Sequence, residues 1–342
     1  MADYSALDKA LHRLALGSPA VAEMTHDVER SLFLKTAPAD DGRHVFVTGL
    51  ARAGTTILMR EIHRAGEFGS LTYADMPFVL APNLWAEISR KGRTAGARRE
   101  RAHGDGIEVD FDSPEALDEA FWRVFDGASY IAADALLPHR PDAALIDRYR
   151  DFIRLALRRT GKSRYLSKNN NNILRIGTLA PAMPAAVFLV ALRHPLPHAA
   201  SLLAQHKRFL AADAFTRQYM TWLGHHEFGA THRPFRFGAA PTGDPSGLDY
   251  WLRAWIAAYG ALEAAAASPN VVFVPYEALC RDPAVWKAAA ARIGVDAGPA
   301  GELRDIAAAP PLPHDQDLAD QATDLHARLS KRAFDALSLA AR

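Results

Sequence analysis

The chain has 342 residues, 49% of them hydrophobic and 23% charged, and its 40 basic and 39 acidic side chains leave a formal net charge of +1. That balance excludes a global field for nucleic acid or an anionic membrane, so any anion binding has to be local. A single cysteine, Cys280, excludes an intrachain disulfide and a four-cysteine zinc site.

In chain order, residues 1–42 read as a helical extension. Charges interrupt their apolar positions, so they do not read as a signal peptide. The longest apolar run, near 185–192, is far shorter than a bilayer span, and a cytoplasmic location is the expectation. Residues 44–48, 186–192 and 270–274 are apolar and β-branched on both faces, with 164–167 as a weaker fourth strand. Helices are predicted over 55–65, 143–159, 173–180, 195–206, 248–267 and 283–293. Buried strands alternating with helices predict an α/β fold: a doubly wound, mostly parallel sheet of P-loop NTPase-like type, covered by helices on both faces. One domain over 1–342 is expected. Long insertions at 70–140 and 209–247 would form acceptor walls, and 300–342 a C-terminal helical segment.

The strongest local signal is Gly49-Leu-Ala-Arg-Ala-Gly54-Thr55-Thr56, between a strand and a helix. Backbone N–H groups in such a loop, with a helix N-terminus behind them, make an anion site. The spacing is that of a Walker A loop, but Thr55 stands where an ATPase carries lysine. Arg52 supplies a cation from within the turn instead, which suits a smaller anion. The bland alternative is a strand–turn–helix with a capping threonine.

The second signal is Arg193-His-Pro-Leu-Pro-His-Ala-Ala-Ser201, after the strand at 186–192. An arginine at a strand's C-terminal end sits where open α/β sheets bind ligands. Ser201, eight positions on, is placed to turn back towards it, and the two would grip a phosphate monoester.

Together these motifs resemble those of the PAPS-dependent sulfotransferases, nearest the tyrosylprotein and bacterial carbohydrate-type members. The first is similar to the family's 5′-phosphosulfate loop, G-x-P-[RK]-S-G-T-T, with Ala51 and Ala53 replacing its proline and serine. The second is similar to its 3′-phosphate motif, R-x-P-x5-S. Tyr165-Leu-Ser-Lys168 resembles a family strand whose lysine approaches the transferring sulfonate, and Val274-Pro-Tyr276-Glu-Ala-Leu279 a late element whose tyrosine lies near the nucleotide.

The resemblance implies PAPS as co-substrate, held by Arg52, Ala53, Gly54, Thr55, Thr56, Arg193, Ser201 and Tyr276, with no metal. Arg52 and Lys168 would stabilise the leaving group. For the general base the first candidate is Asp75, whose local alternative is to cap the next turn. His103 comes second, and His226 with Glu227 third. The expected acceptor is a saccharide, lipid or small metabolite. A basic run through Arg90, Lys91, Arg93, Arg98, Arg99 and Arg101 reads as solvated surface or as attraction for an acidic acceptor. Trp85, Phe121, Trp122 and Tyr130 read as core or as stacking walls. The competing readings are a P-loop NTP-dependent kinase and a catalytically silent nucleotide-binding protein.

Overall fold

A computed structural model describes residues 6–39, 41–89, 117–265, 267–296, 298–299, 301, 303 and 312–338. At 6–7, 99–100 and 108–109 it describes the backbone alone. Five parallel strands make the main sheet: β1 (Val45–Thr48), β2 (Phe68–Gly69), β3 (Arg164–Lys168), β4 (Val187–Leu192) and β5 (Val271–Pro275). Their order is β2-β3-β1-β4-β5. The registers Phe68↔Arg164, Val47↔Lys168, Thr48↔Val190 and Leu192↔Pro275 bring the carboxyl ends of the strands to one edge. Arg99–Glu100 and Glu108–Val109 form a separate antiparallel pair.

Strand composition explains the two covered faces. Val45, Val47, Leu189, Val272 and Val274 point into one core, with Trp286 of Pro283–Arg292 and with Leu58, Met59 and Ile62 of helix α3 (Thr55–Arg64), which follows α1 (Ala6–Gly17) and α2 (Pro19–Phe33). Phe46, Phe188, Val190 and Phe273 point into the other. There they meet the helices Glu119–Tyr130, Ala143–Thr160, Pro195–Leu210 and Leu248–Ala265. Phe46 and Phe188 stack across neighbouring strands, 4.8 Å between ring centroids. Alternate residues of each strand thus serve opposite layers, as the unbroken apolar runs predict.

The crossover geometry positions the site. From central β1 the chain passes to β2 and β3 on one side, then returns to β4 and β5 on the other. The strand order therefore reverses between β1 and β4, and the carboxyl edge at such a switch point is where open sheets hold ligands. No helix among the described residues is long and apolar enough to cross a membrane.

Candidate active site

The loop after β1 closes as a tight turn, with the Ala53 N–H donating to the Leu50 carbonyl at 3.2 Å. Arg52 takes the left-handed φ of +70° in that turn, a conformation costing an L-residue about 1–2 kcal/mol. Gly54 then opens α3 with φ of +94°. A Cβ there would lie 2.2 Å from the Tyr276 ring, so the late tyrosine packs directly on the loop. Gly54, the N-cap of α3, makes no side-chain cap bond, and Thr55 and Thr56 beyond it are buried.

The second arm runs from the end of β4 into the helix Pro195–Leu210. Arg193, 5% exposed, donates from Nη1 to the Arg52 carbonyl at 2.9 Å. Ser201 Oγ accepts from Arg52 Nε at 3.3 Å. The two arms thus meet, and their three side chains share one corner of the carboxyl edge. Burial depresses the Arg193 pKa, Glu277 opposes that, and the Arg52 guanidinium depresses it further. A guanidinium stays protonated all the same, so an anion between the two arginines would relieve their repulsion.

A profile of the sulfotransferase family matches residues 44–289. The chain belongs to the sulfotransferase family. Its fold is similar to that of sulfotransferase STF1 from Mycobacterium tuberculosis H37Rv, with a TM-score of 0.52 and 16% identity over 98% of this chain and 87% of that one. Sulfotransferase STF9 from Mycobacterium avium is 12% identical over 99% and 85% of the two chains, with a TM-score of 0.46. A sulfotransferase from Alicyclobacillus acidocaldarius is 16% identical over 87% and 96%, with a TM-score of 0.37. No curated protein sequence matches significantly.

Several residues of this sulfotransferase hold the loop from behind, and the sequence alone does not single them out. His198 donates from Nε2 to the Ala51 carbonyl at 2.8 Å and accepts at Nδ1 from the Trp255 indole at 3.2 Å. Those two bonds fix its tautomer. Burial, then Arg193, push its pKa down to about 3, so the ring is neutral. Glu277, next to Tyr276, accepts from the His194 N–H at 3.0 Å and ties the two family-like elements together. The asparagine tract is structural too. Asn169 donates to Glu119 at 2.8 Å, and Asn171 to the Gly224 carbonyl at 3.0 Å. Asn170 Oδ1 accepts from the Thr55 hydroxyl at 3.3 Å.

Lys168, 7% exposed, ends β3 in register with Val47, beside the loop that follows β1. Asp75 lies beyond β2, 2% exposed. Its Oδ2 accepts from the Thr72 N–H at 2.9 Å in a capping box, and Arg159 Nε stands 3.3 Å from Oδ1. Asp75 thus closes back on the 72–75 turn it ends and does not cap the turn that follows. His226 is 1% exposed, its pKa lowered by burial and then by Arg233. Glu227 is joined to Asn170, whose Nδ2 donates to it at 3.0 Å. His103 lies outside the described residues, as do Arg90, Lys91, Arg93, Arg98 and Arg101, and no side chain is described at Arg99.

Phe121, Trp122 and Tyr130 are fully buried core residues. Trp122 and Tyr130 flank the buried Arg175, each ring 4.9 Å from its guanidinium carbon. Arg175 pairs with Glu119 at 2.7 Å. Trp85 packs on Phe78, 5.2 Å between rings. Among the described residues, no group of three or more His, Cys, Asp or Glu side chains is arranged to hold a metal ion.

Proposed function

We propose that this sulfotransferase moves a sulfuryl group from PAPS to a hydroxyl or amine of a saccharide, lipid or small metabolite, by in-line displacement. The observation that carries the reading is the meeting of Arg52, Arg193 and Ser201 at the carboxyl edge of β1 and β4. A nucleotide with phosphate groups at both its 3′ and 5′ positions needs two anion grips, one at each end. The turn of Ala53, Gly54, Thr55 and Thr56 takes the 5′-phosphosulfate on its N–H groups and the N-terminus of α3. Arg193 and Ser201 take the 3′-phosphate, and Tyr276 lies against the nucleotide.

Charge then develops on the bridging oxygen as the sulfur–oxygen bond to the 5′-phosphate breaks. Arg52 and Lys168 stabilise that charge, and no covalent enzyme intermediate is required. A kinase reading has less support. The Walker lysine position is Thr55, whose hydroxyl is committed to Asn170.

Titration calorimetry with 3′-phosphoadenosine 5′-phosphate (PAP) and with ATP tests the donor. PAP is expected to bind and ATP to bind far more weakly. Incubation with PAPS and a panel of saccharides, phenols, steroids and lipids should add one SO₃, roughly 80 Da, to at least one member. Binding without any transfer would favour a silent nucleotide-binding protein instead.

A further inference from the structure

We propose that His225 and Glu227 form the proton-taking pair on the acceptor side, with Asn170 as the residue that positions it against the donor loop. The inference rests on the PAPS reading and adds the half of the reaction that reading leaves unassigned.

The pair sits in a pinned loop. Gly224 has φ of +73°, and a Cβ there would meet Glu119 Cγ at 2.4 Å, so the backbone lies against a buried, ion-paired side chain. The Gly224 carbonyl is held by Asn171, and the Gly229 N–H donates to His206 Nδ1 at 3.2 Å. Between those anchors residues 225–228 have little room to shift.

Asn170 links this loop to the donor site. Its side-chain oxygen accepts from Thr55 at 3.3 Å while its amide nitrogen donates to Glu227 Oε1 at 3.0 Å. A primary amide has one end of each kind, so the two bonds fix its orientation. Glu227 therefore stands one amide away from the first residue of α3.

Charge state follows from the same contacts. Burial opposes ionisation of Glu227. The positive charge that His225 carries once protonated, with hydrogen bonds from His225 and Asn170, outweighs it and holds the carboxyl well below its usual range. The ionised Oε1 lies 3.5 Å from His225 Nδ1. A carboxylate there favours the tautomer with hydrogen on Nδ1 and the lone pair on Nε2, and it stabilises the imidazolium that forms after proton uptake. The His225 side chain is 14% exposed and Glu227 9%, whereas Asp75 is 3% exposed and engaged with Thr72 and Arg159.

The step balances. His225 Nε2 takes the acceptor hydroxyl's proton as that oxygen bonds to sulfur. The bond from sulfur to the 5′-phosphate oxygen breaks, its electron pair leaves with PAP, and the imidazolium later gives its proton to solvent.

The test uses the whole protein, PAPS and two probe acceptors at mildly alkaline pH: phenol, which keeps its proton, and 4-nitrophenol, which has lost it. His225→Gln and Glu227→Gln are expected to slow transfer to phenol by roughly 10²- to 10⁴-fold. They should slow transfer to 4-nitrophenolate by less than about tenfold and leave PAP affinity unchanged. Added imidazole should restore part of the phenol activity of His225→Ala, a readout that a structural role would not give. Asn170→Ala should lower kcat for phenol with little change in KM. Equal loss on both probes, unchanged phenol transfer, or an acidity-dependent loss in Asp75→Asn in place of His225→Gln would overturn the assignment. So would a wild type that binds PAP and transfers to neither probe. A wild type that binds no PAP overturns the donor reading itself.

Discussion

Arg52 Nε and Ser201 Oγ lie 3.3 Å apart although 149 residues separate them in the chain. That single contact joins the loop after β1 to the helix after β4, and Arg193 reinforces it through the Arg52 carbonyl. Arg193→Ala removes a charge-assisted contact, about 1.5–3 kcal/mol, so PAP affinity should fall by roughly 10- to 150-fold. Ser201→Ala removes one hydroxyl contact but no protein charge, and should cost less, roughly 2- to 10-fold. Calorimetric titration of PAP into both variants checks the ranking, and equal affinities would remove Arg193 from the donor site.

The left-handed backbone at Arg52 separates charge from strain. Arg52→Ala keeps the unfavourable φ, whereas Arg52→Gly releases it. Both variants should lose transfer, because both lose the guanidinium. The glycine variant should nevertheless be more stable than the alanine variant by about 1 kcal/mol, read from urea midpoints at equal slope. If the glycine variant is the less stable, the turn is not strained at that residue.

The Gly54–Tyr276 packing predicts a rescue. Gly54→Ala places a methyl group 2.2 Å from the tyrosine ring and also pays for a positive φ. It should lower the melting temperature and abolish PAP binding. Adding Tyr276→Ala removes the overlap but not the φ penalty, so the double variant should recover part of the lost stability, a coupling of about 0.5–3 kcal/mol. Strict additivity would mean that the ring moves aside without cost.

Much of this architecture is local in the sequence. Residues 45–47, 187–192 and 271–274 are apolar at consecutive positions because both faces of each strand are covered, and that pattern is visible without coordinates. The spacing of Arg193 and Ser201 is likewise visible, although Arg193 precedes the helix that starts at Pro195 and the two residues are joined only through Arg52. The Thr72–Asp75 box spans four residues and is equally local. The supports of the site are not. Asn169, Asn170 and Asn171 find their partners at Glu119, Glu227 and Gly224, some fifty residues away, and a polar tract carries no periodicity that announces this. His198 shows the same limit. Helix spacing places it in the core, but only the fold brings Ala51 and Trp255 to its two nitrogens.

Buried histidines set the acid stability of the fold. Burial leads the causes that push His26, His232 and His326 down to about 4 and His198 to about 3, from an unfolded value of 6.5. Above about 6.5 both folded and unfolded chains carry neutral rings, and no cost arises. Below it the unfolded chain binds protons that the folded chain refuses, so stability declines as pH falls towards about 4, then levels. Each ring contributes up to about 1.4 kcal/mol per pH unit in that window. Glu29 and Asp118, whose pKa values burial raises, act in the opposite sense, but among the described residues they are two against ten histidines that burial lowers. Urea midpoints should therefore be level above neutrality and fall steadily from about pH 6.5 to about pH 5. A midpoint that holds or rises over that interval would mean the rings are charged in the folded protein. At His198 that outcome has a structural price: a second ring hydrogen on Nδ1 would face the Trp255 N–H, so the neutral ring is a condition for holding Ala51 and the donor loop in place.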